Sequence, residues 1–122
     1  MLILTPQQQI ALGAQTQAHF AEALEQRVTR QWTEECSRLG AEQTRRVVQQ
    51  AMSDAAQLGY DTELDVGRHV HLTFAFRTLH YHQQEWAAEF MAEAELPARI
   101  RMNRLFDAAC HRLAGLEAGA AG

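Results

Sequence analysis

Apolar residues recur along the chain at intervals of three and four, the period of one helix face, and breaks in that rhythm divide it into segments. The first segment carries Ile10, Ala14, Ala21, Leu24 and Val28, with Phe20 beside Leu24. Ahead of it, Thr5-Pro6-Gln7-Gln8 reads as an N-cap, a proline at the first helical position and a glutamine set for a capping box, so a helix is expected to run to about Gln31. Thr33 is expected to cap a short second helix with Trp32, Cys36 and Leu39 on its apolar side and Gly40 as its stop. A third helix is expected from Glu42 to Leu58, with Val47, Val48, Ala51, Met52, Ala55 and Leu58 on one face and Gly59 as punctuation.

Thr62 opens a fourth helix, with Glu63 and Asp65 placed against the positive end of its dipole. Its apolar residues, Leu64, Val66, Val70, Leu72, Phe74, Phe76 and Leu79, nearly encircle it, as in a central, buried helix. The alternation from Val70 to Phe76 also fits a strand, but no second strand is in view to pair its backbone groups, so helix is preferred. A bend is expected at Leu79 to His82, then a helix from Gln84 to Ala94 with Trp86, Phe90 and Met91 inward. Leu96-Pro97 starts the last helix, whose inward residues are Met102, Leu105, Phe106, Ala109, Leu113 and Leu116. The expected fold is all-α, a single compact bundle of five or six helices over residues 1–117, with residues 118–122 as a frayed tail.

The chain has 122 residues, a hydrophobic fraction of 47% and a formal net charge of −4. That is one ordinary globular domain, long enough to bury a core without staples. Every basic residue is Arg, and the acidic balance lacks the electrostatic footprint of a general nucleic-acid binder. Nor is there a run of apolar residues long enough to span a bilayer, or a basic face for a membrane surface. The start of the chain has no basic region followed by a long apolar core, so a cytoplasmic protein is expected, with Cys36 and Cys110 as buried free thiols.

Catalytic chemistry finds little purchase. Four histidines, His69, His71, His80 and His82, fall within fourteen residues, but metal ligands on one helix normally sit four apart. His69 and His71 diverge by about 200° on a helix, and His80 and His82 share that spacing. Surface or bend histidines are therefore expected, with no metal and no cofactor. The His19/Glu22 and His82/Glu85 pairs reverse the Glu-x-x-His order of di-iron bundles. Cys110 and His111, about 100° apart on a helix, do not form a nucleophile and base. No phosphate loop or nucleophile elbow occurs, so no catalytic residue is assigned and no enzyme is expected.

Charge and aromatic content are more informative. Glu85, Glu89, Glu93 and Glu95 form an acidic run; Arg99, Arg101, Arg104 and Arg112 follow, opposed by Asp107. Two neighbouring helices attracting each other would explain this, and so would the polar rim of a docking surface. Aromatic residues crowd the same region, and aromatics with Arg are enriched at protein interfaces. Tyr81, Trp86 and Phe90, which follow the bend, together with Arg99, Arg101 and Arg104, are the candidate partner-binding residues.

The order of motifs carries a resemblance. Trp32 with Glu34, Cys36 and Leu39-Gly40 is followed by Arg45 to Ala51, then Gly59-Tyr60-Asp61-Thr62-Glu63-Leu64-Asp65-Val66, Leu72 to Phe76, Trp86-Ala87 and the Ala98 to Leu113 helix. From about Ile10 to Leu113 the chain resembles small α-helical proteins encoded in type VI secretion gene clusters of Proteobacteria, beside effectors, spike proteins and effector-loading adaptors. Where that family shows a Gly-Pro-x-Phe-Asp type segment, this chain has Phe76-Arg77-Thr78-Leu79-His80-Tyr81. The resemblance implies a non-enzymatic co-adaptor or chaperone-like partner in effector loading, bound to an adaptor or an effector. Two alternatives stand beside it: an immunity protein neutralising a toxin, and a metal or haem sensor using the His69–His82 cluster. Homodimerisation stays open, because small bundles often complete their core by pairing.

Overall fold

The computed structural model describes residues 6–121, with side chains described from residue 18 to residue 115. The fold is all-α: six α-helices and one short 3-10 turn, with no strand among the described residues. The helices are α1 (Pro6–Gln31), α2 (Thr33–Leu39), α3 (Ala41–Gln57), α4 (Glu63–Ala75), α5 (Glu85–Met91) and α6 (Ala98–Ala121), with the 3-10 turn Tyr81–Gln83 before α5. The chain divides into two compact units, Met1–Gln49 and Gln50–Gly122, and the division falls within α3.

In the first unit, Leu24 and Val28 of α1 are fully buried, as their stripe predicts, and Cys36 and Val48 are buried as well. The cap expected at Thr5 lies outside the described residues, as do the side chains of Ile10 and Ala14. Thr33 does not cap α2. Its hydroxyl donates backward to the carbonyls of Thr29 (3.2 Å) and Arg30 (3.0 Å) and so closes the end of α1. Trp32 holds the N-cap position without a side-chain capping bond, and its backbone both donates to Val28 O (2.8 Å) and accepts from Cys36 N (2.9 Å). The chain therefore passes from α1 to α2 through one turn. Gly40 stops α2 with φ of 83°, a backbone region that L side chains rarely enter. The Cys36 thiol donates to Val28 O at 3.5 Å, and burial pushes it above its ordinary range. Neither cysteine is in a disulfide; Cys36 is buried as expected, whereas Cys110 is exposed, because it falls outside the Met102, Leu105, Ala109 face of α6.

The second unit holds the larger core: Ala55, Tyr60, Leu72, Tyr81, Ala87, Met102, Leu105 and Ala109. α3 ends in a Schellman turn. The Tyr60 N–H reaches Ala55 O (3.0 Å) and the Gly59 N–H reaches Ala56 O (3.1 Å), with Gly59 at φ of 92°. α4 begins as predicted, the Thr62 hydroxyl accepting from the Asp65 N–H at 3.1 Å. It is a helix and not a strand, and it is buried nearly all round, at Asp65, Gly67, His69, Val70, Leu72, Thr73 and Phe74. Leu64, expected inward, is instead 59% exposed, because the carboxylate one residue on takes the buried position. α4 stops at Ala75, one turn before the expected bend, where Arg77 adopts φ of 57°. α5 is shorter than expected, running only to Met91. Pro97 starts α6 by accepting from Ile100 N and Arg101 N, each at 3.0 Å. The backbone of α6 is assigned to Ala121; side chains of the expected tail, and all of Gly122, lie outside the described residues.

Thr62 is exposed, so its contribution is the cap itself. Thr62→Ala is expected to lower unfolding stability by about 1 kcal/mol, measured by urea denaturation at neutral pH. Thr62→Ser should restore most of it.

Candidate functional site

The chemistry of the second unit gathers where the end of α4, the 3-10 turn and α5 meet. α4 places His69 one turn beyond Asp65 and one turn before Thr73, on a helix that has almost no solvent-facing side. The turn places Tyr81 opposite it. Both residues are fully buried. The Tyr81 hydroxyl and His69 Nδ1 share a hydrogen bond at 2.7 Å. Burial, and then the neighbouring Tyr60, push the Tyr81 phenol far above its ordinary range, so it stays protonated. Its O–H donates, Nδ1 is the acceptor at hand, and the imidazole proton is thereby assigned to Nε2.

Among the described residues, His69 Nε2 has no hydrogen-bond partner, and neither does the buried Nδ1 of His82. The two rings lie 5.9 Å apart between centroids, and His80 stands 6.3 Å beyond His82. Tyr60 closes the other side of His69 at 5.8 Å. Burial is the main reason that the His69 imidazole is held down at about 4; His82 adds to this and Asp54 opposes it. His82 is lowered as well, by burial and then by His80, again against Asp54. Tyr60 is pushed up to about 12 by burial, opposed by Arg101 and reinforced by Asp65. His69, Tyr81 and Tyr60 form a buried polar cluster, with the half-buried His82 at its edge.

That arrangement corrects the expectation of a surface or bend histidine for His69 alone: His80 is exposed at the bend and His82 is half-buried in the turn. His69 is a core residue, because it falls on the same face of α4 as the buried Asp65, Leu72 and Thr73, and the turn folds His82 back toward it. Helical divergence separates His69 from His71 but not from His82, which lies thirteen residues on in sequence and outside α4. Among the described residues, no group of three or more His, Cys, Asp or Glu side chains is placed to hold a metal ion.

Beside this cluster lies an aromatic layer. Phe76 packs on Trp86 (5.0 Å between centroids) and on Tyr81 (6.2 Å), and Tyr81 stacks on Trp86 at 6.5 Å. α6 covers its edge with guanidinium groups: Arg112 over Trp86 at 5.6 Å and Arg104 over Phe90 at 5.9 Å. On the α4 side, Arg68 lies over Phe106 at 4.8 Å and donates to Asn103 Oδ1 at 2.6 Å. Arg104 also pairs with Glu93, so the acidic and basic runs meet within the unit.

The candidate partner-binding residues therefore separate. Tyr81 is fully buried, and its expected place among exposed aromatics is corrected: the 3-10 turn points it inward to meet His69. Trp86 and Phe90 are half-buried on α5, and Arg104, which reaches Phe90, is exposed. Arg99 is exposed at the start of α6. Arg101 is half-buried and turns toward Gly59 and Tyr60. His69 was not among the candidates, although the apolar residues around the fourth helix were a usable signal, since most positions on such a helix are buried.

In the first unit, an open groove is lined by Glu22, Glu25, Gln26, Thr29, Arg30 and Arg45, and the Arg45–Glu25 pair at 3.4 Å bridges it. Its exposed charges are screened by solvent and contribute little to stability.

No protein-family model, curated protein or solved structure matches this chain.

Tyr81→Phe removes the partner of a buried imidazole without changing ring volume. The expected cost is about 1–3 kcal/mol in urea denaturation at pH 7.5, because His69 is left with both nitrogens unpaired. An unchanged midpoint would show that the bond contributes nothing net.

Proposed function

We propose that this chain is a non-enzymatic interaction module of the cytoplasm that presents the α5–α6 edge of its second unit to a protein partner. The observation that carries this reading is the pairing of half-exposed aromatics with guanidinium groups: Arg112 over Trp86 and Arg104 over Phe90. Aromatic residues and Arg together dominate binding hot spots, and both can be pre-organised by packing on each other. Exposed Glu85, Glu89 and Arg99 flank these residues, giving a rim of mixed charge that would orient an encounter.

The resemblance of its motifs gives the partner a class. In this reading the chain is a co-adaptor or chaperone-like protein in type VI secretion, and it covers apolar surface of an effector-loading adaptor or of the effector until loading is complete. The immunity reading shares the size and charge but requires a toxin as the bound partner. Capture of the protein from a bacterium that encodes it, followed by mass spectrometry, separates the two. Recovery of an adaptor, with no rescue of toxin-poisoned cells, is expected. A toxin complex with rescue, or recovery of the protein alone as a clean oligomer, would overturn the co-adaptor reading.

Trp86 is a poor probe of that surface, since its ring also packs on Phe76 and Tyr81. The better test is the charge reversal Arg99→Glu with Arg104→Glu. It is expected to weaken the adaptor complex at least tenfold in calorimetric titration while the circular dichroism spectrum stays unchanged. Unaltered affinity in the folded double variant would remove this edge as the docking surface.

A further inference from the structure

The segment 76–84 joins two helices, yet its described backbone hydrogen bonds are all local. Thr78 N reaches back to Thr73 O (3.1 Å), Gln83 N to His80 O (3.0 Å) and Gln84 N to Tyr81 O (3.0 Å). It also contains the positive-φ, non-glycine Arg77, a conformation that persists only when its surroundings enforce it. What reaches from the middle of this segment into the core is Tyr81, through its ring contacts and its hydrogen bond to His69. The next residue, His82, sets a second imidazole against the first.

We propose that His69, Tyr81 and His82 form a proton-operated latch, which holds segment 76–84 and the start of α5 closed at neutral pH and releases them in mild acid before the rest of the second unit unfolds. This rests on the geometry of the second unit alone and not on the partner reading.

The chemistry of the latch is specific. Adding a proton to His69 turns Nδ1 from an acceptor into a donor, so the Tyr81 O–H loses its acceptor and the phenol must rotate or leave. The added charge is buried among Tyr60, Tyr81 and the facing His82, with no hydrogen-bond acceptor at Nε2. A second proton on His82 adds like-charge repulsion. The surrounding charges do not reverse this. Asp54 near the end of α3 favours a charged imidazole, but burial and His82 outweigh it. Asp65, one turn earlier on α4, has Arg68 at 4.0 Å, and Arg101 of α6 acts on Tyr60. Opening the segment lifts the Tyr81 and His82 rings from His69 and lets water reach it.

The direction of the pH effect follows by linkage. The closed form holds His69 neutral down to about 4, whereas an exposed imidazole titrates near 6.5. The open form therefore takes up the proton first as pH falls. Closure is fully favoured above about 6.5 and is progressively lost toward 4. Between pH 7 and pH 5, His69 alone shifts the balance toward opening by up to about twentyfold.

Hydrogen exchange of the full chain at pH 7 and pH 5, corrected for intrinsic exchange rates, tests the proposal. The expected result is a loss of protection of about tenfold or more, confined to amides of residues 78–88, with the Met102–Ala109 amides of α6 unaffected. In His69→Asn, whose amide can replace Nδ1 toward Tyr81 but does not titrate, most of that pH dependence should vanish. Equal loss across the unit, no loss in the wild type, or the same loss in His69→Asn would overturn it. If His69→Asn does not fold, the imidazole resonances of the wild type decide: a His69 that titrates at or above 6.5 in the folded protein overturns the latch, and one well below it supports it.

Discussion

A hydrogen bond between two fully buried side chains, the Tyr81 hydroxyl and the His69 imidazole, sets the architecture of the second unit. Neither group can be left unpaired in an apolar interior without a cost of kcal/mol size, so each dictates where the other must be. That fixes the 3-10 turn against α4, and the turn in turn aims α5. The stacking of Phe76, Tyr81 and Trp86, and the guanidinium cover over Trp86 and Phe90, all presuppose that placement. Hydrophobic burial supplies the driving force, but it is non-directional. The imidazole–phenol pair supplies direction.

The same pair explains why the charged runs do not simply form a free rim. Once α5 is aimed, Glu93 meets Arg104, and the acidic and basic helices satisfy part of each other within the unit. What stays outward is the edges of Trp86 and Phe90, with Glu85, Glu89, Glu95, Arg99, Arg104 and Arg112 around them. A surface built this way is pre-organised, because side chains that would otherwise be ordered on binding are already held by neighbours. If this edge docks a partner as proposed, stability and recognition draw on the same residues, and the half-buried Trp86 belongs to both.

Much of the fold was legible from the chain. The helix starts at Thr62 and after Pro97 and the glycine stops at Gly40 and Gly59 are local chemistry, and each lies where its residue type requires. The apolar stripes named Leu24, Val28, Val48, Ala55, Met102 and Leu105 as core. Two local readings failed because a competing local interaction won. Thr33 had two sets of backbone groups within reach, those of the helix ahead and those of the helix behind, and its hydroxyl serves the one behind. Leu64 lost its inward place to Asp65, whose backbone N–H is tied to the cap at Thr62.

Sequence periodicity determines which residues share a helix face, because that depends only on a rise and a turn repeated along one segment. It thereby determined the all-α class, the helix order and most of the core. It could not determine what a bend does, since a segment without a repeat has no face to read. Segment 76–84 is that case: whether Tyr81 points to solvent or inward, and whether His82 approaches His69 or departs from it, follows from contacts between residues a dozen or more apart in sequence. Burial then changes the chemistry of those residues, lowering both imidazoles and raising both phenols. Residue type alone names a group that can titrate; only the tertiary surroundings, by withholding water and choosing its neighbours, decide when it does.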